Sequence, residues 1–205
     1  MTTIDRPRAS LASETTGHAA SGVREVTTQE AVVTRPGARK VLAVARIVIG
    51  FTFLWAFLDK LFGLNFSTPP EASWLAGGTP AQGFINGIEG PFAGFFGLFA
   101  NPLGDWLFML GLLGIGVAMI AGAGLRIAAV GGTLLMLFMF LAALPSATTM
   151  VDGELVRGAT NPLVDSHWHE ALLLIIAAVT LAGDTWGLGR WWAKRDVVRK
   201  HRWLR

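Results

Sequence analysis

Long runs of apolar residues dominate the pattern of this sequence. Four of them approach the length needed to cross a bilayer: Val41–Leu64, Trp106–Gly122, Leu125–Leu144 and Glu170–Gly183 with its flanks. A hydrocarbon core about 30 Å thick requires about 20 helical residues at about 1.5 Å each. Because lipid offers no partners for backbone amides, each run must be helical. The pattern therefore predicts an all-α membrane protein, built as a four-helix transmembrane bundle.

The segment between the first two runs, residues 65–105, is too long for a turn and too apolar for a solvent-exposed loop. Apolar side chains recur in it at helical spacing: Phe84, Ile88, Phe92, Phe95 and Phe99. This spacing predicts one or two short interfacial helices in the first outer loop, with Pro91 between them. These five residues, which we call the apolar stripe, form either a hydrophobic cover over the bundle or a lid on a ligand pocket.

Small residues recur at every fourth position of the two middle runs. They are Gly114, Ala118 and Gly122 in the second run and Ala128 and Gly132 in the third. Such spacing is typical of helices whose backbones approach each other closely in a membrane. We therefore expect these faces to lie in contacts between helices.

Charged residues between the runs segregate by side. Basic residues precede the first run, occupy the turn between the second and third, and follow the fourth: Arg35, Arg39, Lys40, Arg126, Arg190, Lys194, Arg195, Arg199, Lys200, Arg202 and Arg205. The two other loops carry Glu71, Glu89, Asp105, Asp152, Glu154 and Asp165 against the single Arg157. The positive-inside rule then predicts that both termini are cytoplasmic.

Length and composition predict one membrane domain, residues 38–192, between two tails. Residues 1–37 lack apolar patterning and are expected to form a disordered cytoplasmic tail, and residues 193–205 a basic one. The net charge of +3 fits basic segments beside anionic lipid rather than a nucleic-acid surface, because no arginine stripe alternates with aromatic residues. The absence of cysteine excludes disulfide exchange, iron–sulfur clusters and cysteine-attached haem.

Polar side chains inside the first run are few, and burying each in a membrane costs about 2.5–3.5 kcal/mol. Arg46, near the start of the run, is expected to extend to the headgroups. Asp59 and Lys60 lie near its other end, where they either reach water or line a polar cavity. Thr52 and Trp55 share a helix face with Asp59 and would line the same cavity.

A second polar cluster begins the fourth run. Asp165 or Ser166 is placed to cap the helix, and His167 and Glu170 are neighbours at a spacing of three residues. Asp165 and His169 are four residues apart and lie on another face. A metal site drawn from these histidines with Glu170 and Asp59 lacks diagnostic spacing, so no metal site is predicted.

Five short segments together match one known pattern. They read FLWAFLDKLFG at 53–63, GPF at 90–92, NP followed by DWLFMLG within 101–111, NP with an aspartate and a histidine within 161–167, and GDTWGLGR at 183–190. In aggregate they resemble actinobacterial members of the DoxX/DoxD family of integral membrane proteins, over residues 41–192. The resemblance implies a multi-pass protein of the bacterial plasma membrane.

The DoxD branch of that family is the large subunit of a thiosulfate:quinone oxidoreductase. The resemblance therefore implies a membrane subunit of a redox system, which passes electrons from thiosulfate or a partner enzyme to membrane quinone. Under this hypothesis the catalytic residues are Asp59, Lys60 and His167, and the quinone-binding residues are Thr52, Trp55, Asp165 and Glu170.

Two other functions compete with that hypothesis. No motif for a built-in cofactor is present, so quinone would be a substrate and a partner subunit or redox enzyme would supply the electrons. The alternative is a non-catalytic scaffold that anchors redox or respiratory complexes. A small-solute transporter is least favoured, because no run is interrupted in paired inverted halves. The expected partners are lipid, quinone, a second subunit and further copies of the chain, with no nucleic acid.

Overall fold

The structure is a computed structural model that describes residues 27–144, 149–151, 154–157, 161 and 163–205. Its α-helices are α1 Gln29–Val32, α2 Pro36–Phe62, α3 Pro80–Ile85, α4 Ala93–Gly97, α5 Pro102–Ala121, α6 Leu125–Ala142, α7 Ser166–Val179, α8 Gly189–Ala193 and α9 Asp196–Lys200. Short 3₁₀ turns lie at Pro70–Ala72, Trp74–Ala76, Ala182–Asp184 and Arg202–Leu204. Strands β1 Thr149–Val151 and β2 Glu154–Arg157 pair antiparallel.

Three helices among the described residues are long and apolar enough to cross a membrane: α2 with 27 residues, α5 with 20 and α6 with 18. The predicted helical class is confirmed, with three candidate membrane-spanning helices in the described part of the chain where four were predicted. Helix α7 has 14 residues and spans only about 21 Å, so its crossing of the bilayer stays a prediction. The predicted run to Gly183 extends too far, because Leu181 adopts a left-handed backbone with φ of 52° and the chain turns there.

Among the four longest helices, α2 packs closely on α5, and α6 packs closely on α7. Helix α2 also contacts α7, whereas α5 and α6 contact each other less extensively. The buried core between them includes Ile49, Phe53, Met109, Leu112, Met119 and Leu174.

Glycines permit the two close helix pairs. A Cβ added to Gly116 of α5 would lie 2.7 Å from the backbone nitrogen of Leu54 in α2, and one added to Gly132 of α6 would lie 2.4 Å from Leu174 Cδ1. The expectation of close packing therefore holds at Gly132. At Gly114 it is wrong, because an added Cβ there meets no atom within 4 Å.

The predicted disordered tail is partly wrong. Residues 1–26 lie outside the described residues, but residues 27–37 contain α1 and the start of α2. Gln29 is fully buried, and its backbone N–H donates to Asp184 Oδ2 at 2.9 Å. A buried side chain and a buried hydrogen bond fix this part of the segment against the bundle.

The basic segments meet at one end of the molecule, which we call the basic end. Arg126 Nη1 donates to the carbonyl of Trp203 at 3.3 Å, and Arg190 pairs with Glu30. The pKa of the Glu30 carboxyl lies below its ordinary value because its own backbone N–H donates to it, with further contributions from Thr28 and the Arg190 charge. Folding thus brings together the three basic segments that the sequence separates.

The short helices predicted between the first two long helices are confirmed as α3 and α4, with Pro91 between them. The buried ring is Phe96, 5% exposed, whereas the predicted stripe members Phe84 and Phe95 are each more than two-fifths exposed. The rings of Phe95, Phe96 and Phe99 contact the ring of Phe138 in α6, with centroids 5.9, 6.0 and 6.5 Å away. The two helices therefore lie over the ends of α5 and α6.

Candidate functional site

Asp59 lies at the last turn of α2 and is 1% exposed. Its carboxylate accepts hydrogen bonds from the backbone N–H groups of Phe66 and Ser67, at 3.2 and 3.0 Å, and from Ser67 Oγ at 2.6 Å. The chain can turn back to make these bonds because Gly63 adopts a left-handed backbone with φ of 66°. Asp59 therefore anchors the loop that follows α2.

Lys60 belongs to the same anchor. Its half-buried ammonium donates to Ser67 Oγ at 3.4 Å and lies 6.0 Å from the centroid of the Phe108 ring. The structure brings the predicted pair Asp59 and Lys60 together through Ser67. Their contacts join α2 to its loop and to α5.

Thr52 and Trp55 lie two turns and one turn before Asp59 on α2. Both side chains are exposed, and Thr52 Oγ1 donates to the carbonyl of Val48 in the preceding turn. The Trp55 ring contacts the rings of Phe51 and Phe66, with centroids 5.9 and 5.1 Å away. Asp59 is buried, and the quinone-binding role of Thr52 and Trp55 stays a prediction.

We expect Asp59→Asn to lower the free energy of unfolding by about 2 kcal/mol, because an amide cannot accept three hydrogen bonds as a carboxylate does. Thermal unfolding in detergent measures the change. Glu71→Gln is the matched control, since Glu71 is an exposed acid of the same outer loop. Equal melting temperatures for the two variants would show that Asp59 does not anchor the loop.

Of the two predicted N-caps, Asp165 caps α7, and Ser166 is the first residue of the helix. Its Oδ1 accepts from the His167 backbone N–H at 3.0 Å, and its Oδ2 lies 2.7 Å from His167 Nδ1. The carboxylate thus fixes both the first turn of the helix and the orientation of the imidazole. Glu170 is half-buried and His169 is exposed. The pairing of Asp165 with His167 differs from the face assignment made from spacing, because a capping residue is not helical.

Asp105 is a buried acid to which the sequence assigned no site. It is 3% exposed, and its Oδ1 accepts from the N–H groups of Ala81 and Gln82 at 2.8 and 3.2 Å. The Gln82 side chain donates to its other oxygen. Asp105 thereby fastens the start of α3 to α5. The available signal was a carboxylate at the start of an apolar run.

Arg46 does not extend to the headgroups, so that prediction is wrong. Its side chain is fully buried, and Nη1 donates to the carbonyls of Met119 and of Ile120, the latter at 2.7 Å. Nη2 donates to the carbonyl of Trp186 at 3.1 Å. The last carbonyls of α5 lack hydrogen-bond donors within their helix, and the guanidinium of Arg46 provides these donors.

Asp184 holds the tail segments at the basic end. Arg205 Nη2 lies 2.9 and 2.8 Å from its two carboxylate oxygens, and the side chain of Asp184 is completely buried. Thr185 Oγ1 donates to Gln29 Oε1 at 2.6 Å beside this pair. One buried ion pair therefore joins α1, the turn after α7 and the residues after α9.

A cavity of about 650 Å³ opens between α5 and α6. Small residues form its floor, and rings from α3, from α4 with the residues just after it, and from α6 lie over the end away from the basic end: Gly111, Gly114, Ala118, Ala128, Gly131, Phe84, Phe96, Phe99 and Phe138. We call it the α5–α6 groove. The side chains that line it are all apolar and include none of the seven predicted site residues.

Among the residues that the structure describes, no three histidine, aspartate or glutamate side chains lie close enough together to hold a metal ion. Comparison with protein-family models, with curated proteins and with solved structures finds no match. The resemblance to the DoxX/DoxD family therefore stays a prediction from the sequence.

Proposed function

We propose that the protein is a membrane-embedded subunit of a redox system, and that it acts as a scaffold for that system without supplying catalytic groups. Support for the redox part comes from the family resemblance of the motifs between residues 41 and 192. Support for the scaffold part comes from the contacts of the buried charged side chains. The proposed location is the bacterial plasma membrane, with both termini cytoplasmic, in accord with the positive-inside rule.

The scaffold proposal is carried by one observation: buried charged side chains form hydrogen bonds with the protein's own backbone. Asp59 and Asp105 accept from backbone N–H groups near the end of α2 and the start of α5, and Arg46 donates to carbonyls at the basic end. A general acid or base must lie within hydrogen-bonding reach of a substrate atom. These groups instead fix loops and helix ends, which gives the bundle a rigid surface on which a partner can dock.

Purification in a gentle detergent tests this proposal. We expect one or more soluble oxidoreductases to co-purify with the wild-type protein, and quinone to be recovered at well below one equivalent. A mock purification from cells lacking the protein is the control. One equivalent of quinone without any partner enzyme would contradict the scaffold and favour direct quinone chemistry.

The Asp165–His167 pair favours a second function, quinone reduction assisted by this subunit. Asp165 holds His167 Nδ1 at 2.7 Å, so Nε2 is the ring atom that a ligand would meet, and Glu170 lies one turn further along α7. In this function the imidazolium would donate a proton to a quinone oxygen as electrons arrive from thiosulfate or a partner enzyme. Lipid-soluble quinone would reach α7 from the membrane.

Substitution of the two neighbouring histidines separates the second function from a helix cap. If His167 donates a proton, His167→Ala should reduce quinone-linked turnover at least about tenfold, a loss of about 1.4 kcal/mol. If His167 only supports the capping Asp165, His167→Ala should lower the melting temperature alone. The expected loss corresponds to about 1 kcal/mol in the free energy of unfolding. His169→Ala, at an exposed position, is the matched control for both measurements.

A further inference from the structure

We propose that the α5–α6 groove binds one acyl chain of an anionic phospholipid, whose headgroup lies at the basic end. The proposal concerns a surface that the scaffold and quinone hypotheses do not use. It rests on the lining of the groove, on the helices that close one end and on the charges at the other.

The groove has the length and chemistry of a hydrocarbon chain. Its wall on α5 extends from Gly104 to Ala118, which corresponds to about 21 Å along the helix. A Cβ added to Gly114 or to Gly131 meets no atom within 4 Å, so these glycines border open space. In a bilayer, a flexible chain that fills this space gains van der Waals contacts along its whole length.

Helices α3 and α4 restrict what can enter the groove at the end away from the basic end. Asp105 fastens α3 to α5, while Phe96 and Phe99 of the α4 segment contact Phe138 of α6. Together they bridge the two long helices. A transmembrane helix from a second copy, about 10 Å wide, would have to displace this bridge, whereas a single acyl chain fits beneath it. A headgroup cannot occupy the covered end.

The other end of the groove is basic. Gly124 and Ile127 belong to its lining, and Arg126 lies between them at the start of α6. Arg126 binds the carbonyl of Trp203, so the segment Arg202–Leu204 lies beside it. Cationic side chains next to a membrane surface attract anionic headgroups. The covered end of the groove and the charges at its basic end therefore indicate the same orientation, with the lipid headgroup at the basic end.

Native mass spectrometry tests the site with defined probes. Wild-type protein is released from mixed micelles that contain equimolar phosphatidylglycerol and phosphatidylcholine. We expect one retained phosphatidylglycerol per chain. Gly114→Leu and Gly131→Leu place a larger side chain in the groove, where an added Cβ meets no atom within 4 Å, and should each lower the retained fraction by about tenfold. Val130→Leu, at an exposed position of α6 outside the groove lining, should leave it unchanged.

The headgroup is tested separately with charge variants. Arg126→Gln should abolish the preference for phosphatidylglycerol over phosphatidylcholine. Lys40→Gln removes an exposed charge from α2, which contributes no residue to the groove, and should retain the preference. Equal lipid retention by wild type and the leucine variants would overturn the proposal. Recovery of a dimer or of one equivalent of quinone, lost in the same variants, would also overturn it by identifying another occupant.

Discussion

Replacing Arg46 with methionine is expected to lower the free energy of unfolding by about 3 kcal/mol or more, because several buried carbonyls lose a charged donor. The guanidinium binds the carbonyls of Met119, Ile120 and Trp186, and methionine offers none of these hydrogen bonds. Thermal unfolding in detergent measures the loss. The end of α5 and the turn after α7 should loosen first, which hydrogen exchange of their amides would detect.

Two variants make the Arg46 result specific. Arg35→Met removes an exposed charge just before α2 and should change stability by less than about 0.5 kcal/mol. Arg46→Lys keeps the charge but loses the fork of donors, so it should recover only part of the stability. A melting temperature for Arg46→Met equal to that of Arg35→Met would refute the role of Arg46 as a helix cap.

Replacing Gly116 with leucine should prevent α2 and α5 from closing and should cost about 3 kcal/mol. An added Cβ at this position would already lie 2.7 Å from the Leu54 backbone nitrogen and 3.0 Å from the Gly50 carbonyl oxygen. Backbone atoms cannot move aside as a flexible side chain can. The variant should therefore show a lowered melting temperature and reduced yield of folded protein in detergent.

Gly114→Leu is the matched control on the same helix. No atom lies within 4 Å of a Cβ added there, and replacing a helical glycine favours folding by about 0.5–1 kcal/mol. We expect this variant to be as stable as wild type or more so. If Gly114→Leu were the more damaging of the two, the assignment of Gly116 to the helix contact and Gly114 to the groove would be reversed.

The long helices and the charge partition could be predicted because they depend on properties that add up along the chain. Apolar length alone identified α2, α5 and α6, and the basic positions around Arg126 were assigned to one end. The end of the last long helix could not be predicted in the same way. Leu181 is apolar and suits a helix, yet it lies two residues after the end of α7 and adopts a left-handed backbone. That conformation depends on tertiary packing rather than on local composition.

The candidate site was predictable only where its contacts are local. Asp165 and His167 are two residues apart, so the cap followed from residue type and position. The partners of Asp59 lie seven and eight residues away, in a loop whose fold the sequence did not indicate. Arg46 binds carbonyls more than 70 residues away. Hydropathy and spacing carry no information on such contacts, and a buried arginine with backbone partners was therefore mistaken for an interfacial one.

The most direct test of the scaffold is quinone reduction by the purified wild-type protein supplied with thiosulfate and a soluble quinone analogue. A scaffold should show no turnover above the protein-free control, and turnover should appear only after a co-purifying enzyme fraction is added back. In that reconstituted system, Asp59→Asn and wild type should give equal rates at equal amounts of folded protein. Turnover by the purified protein alone, reduced at least about tenfold in Asp59→Asn, would contradict the scaffold proposal.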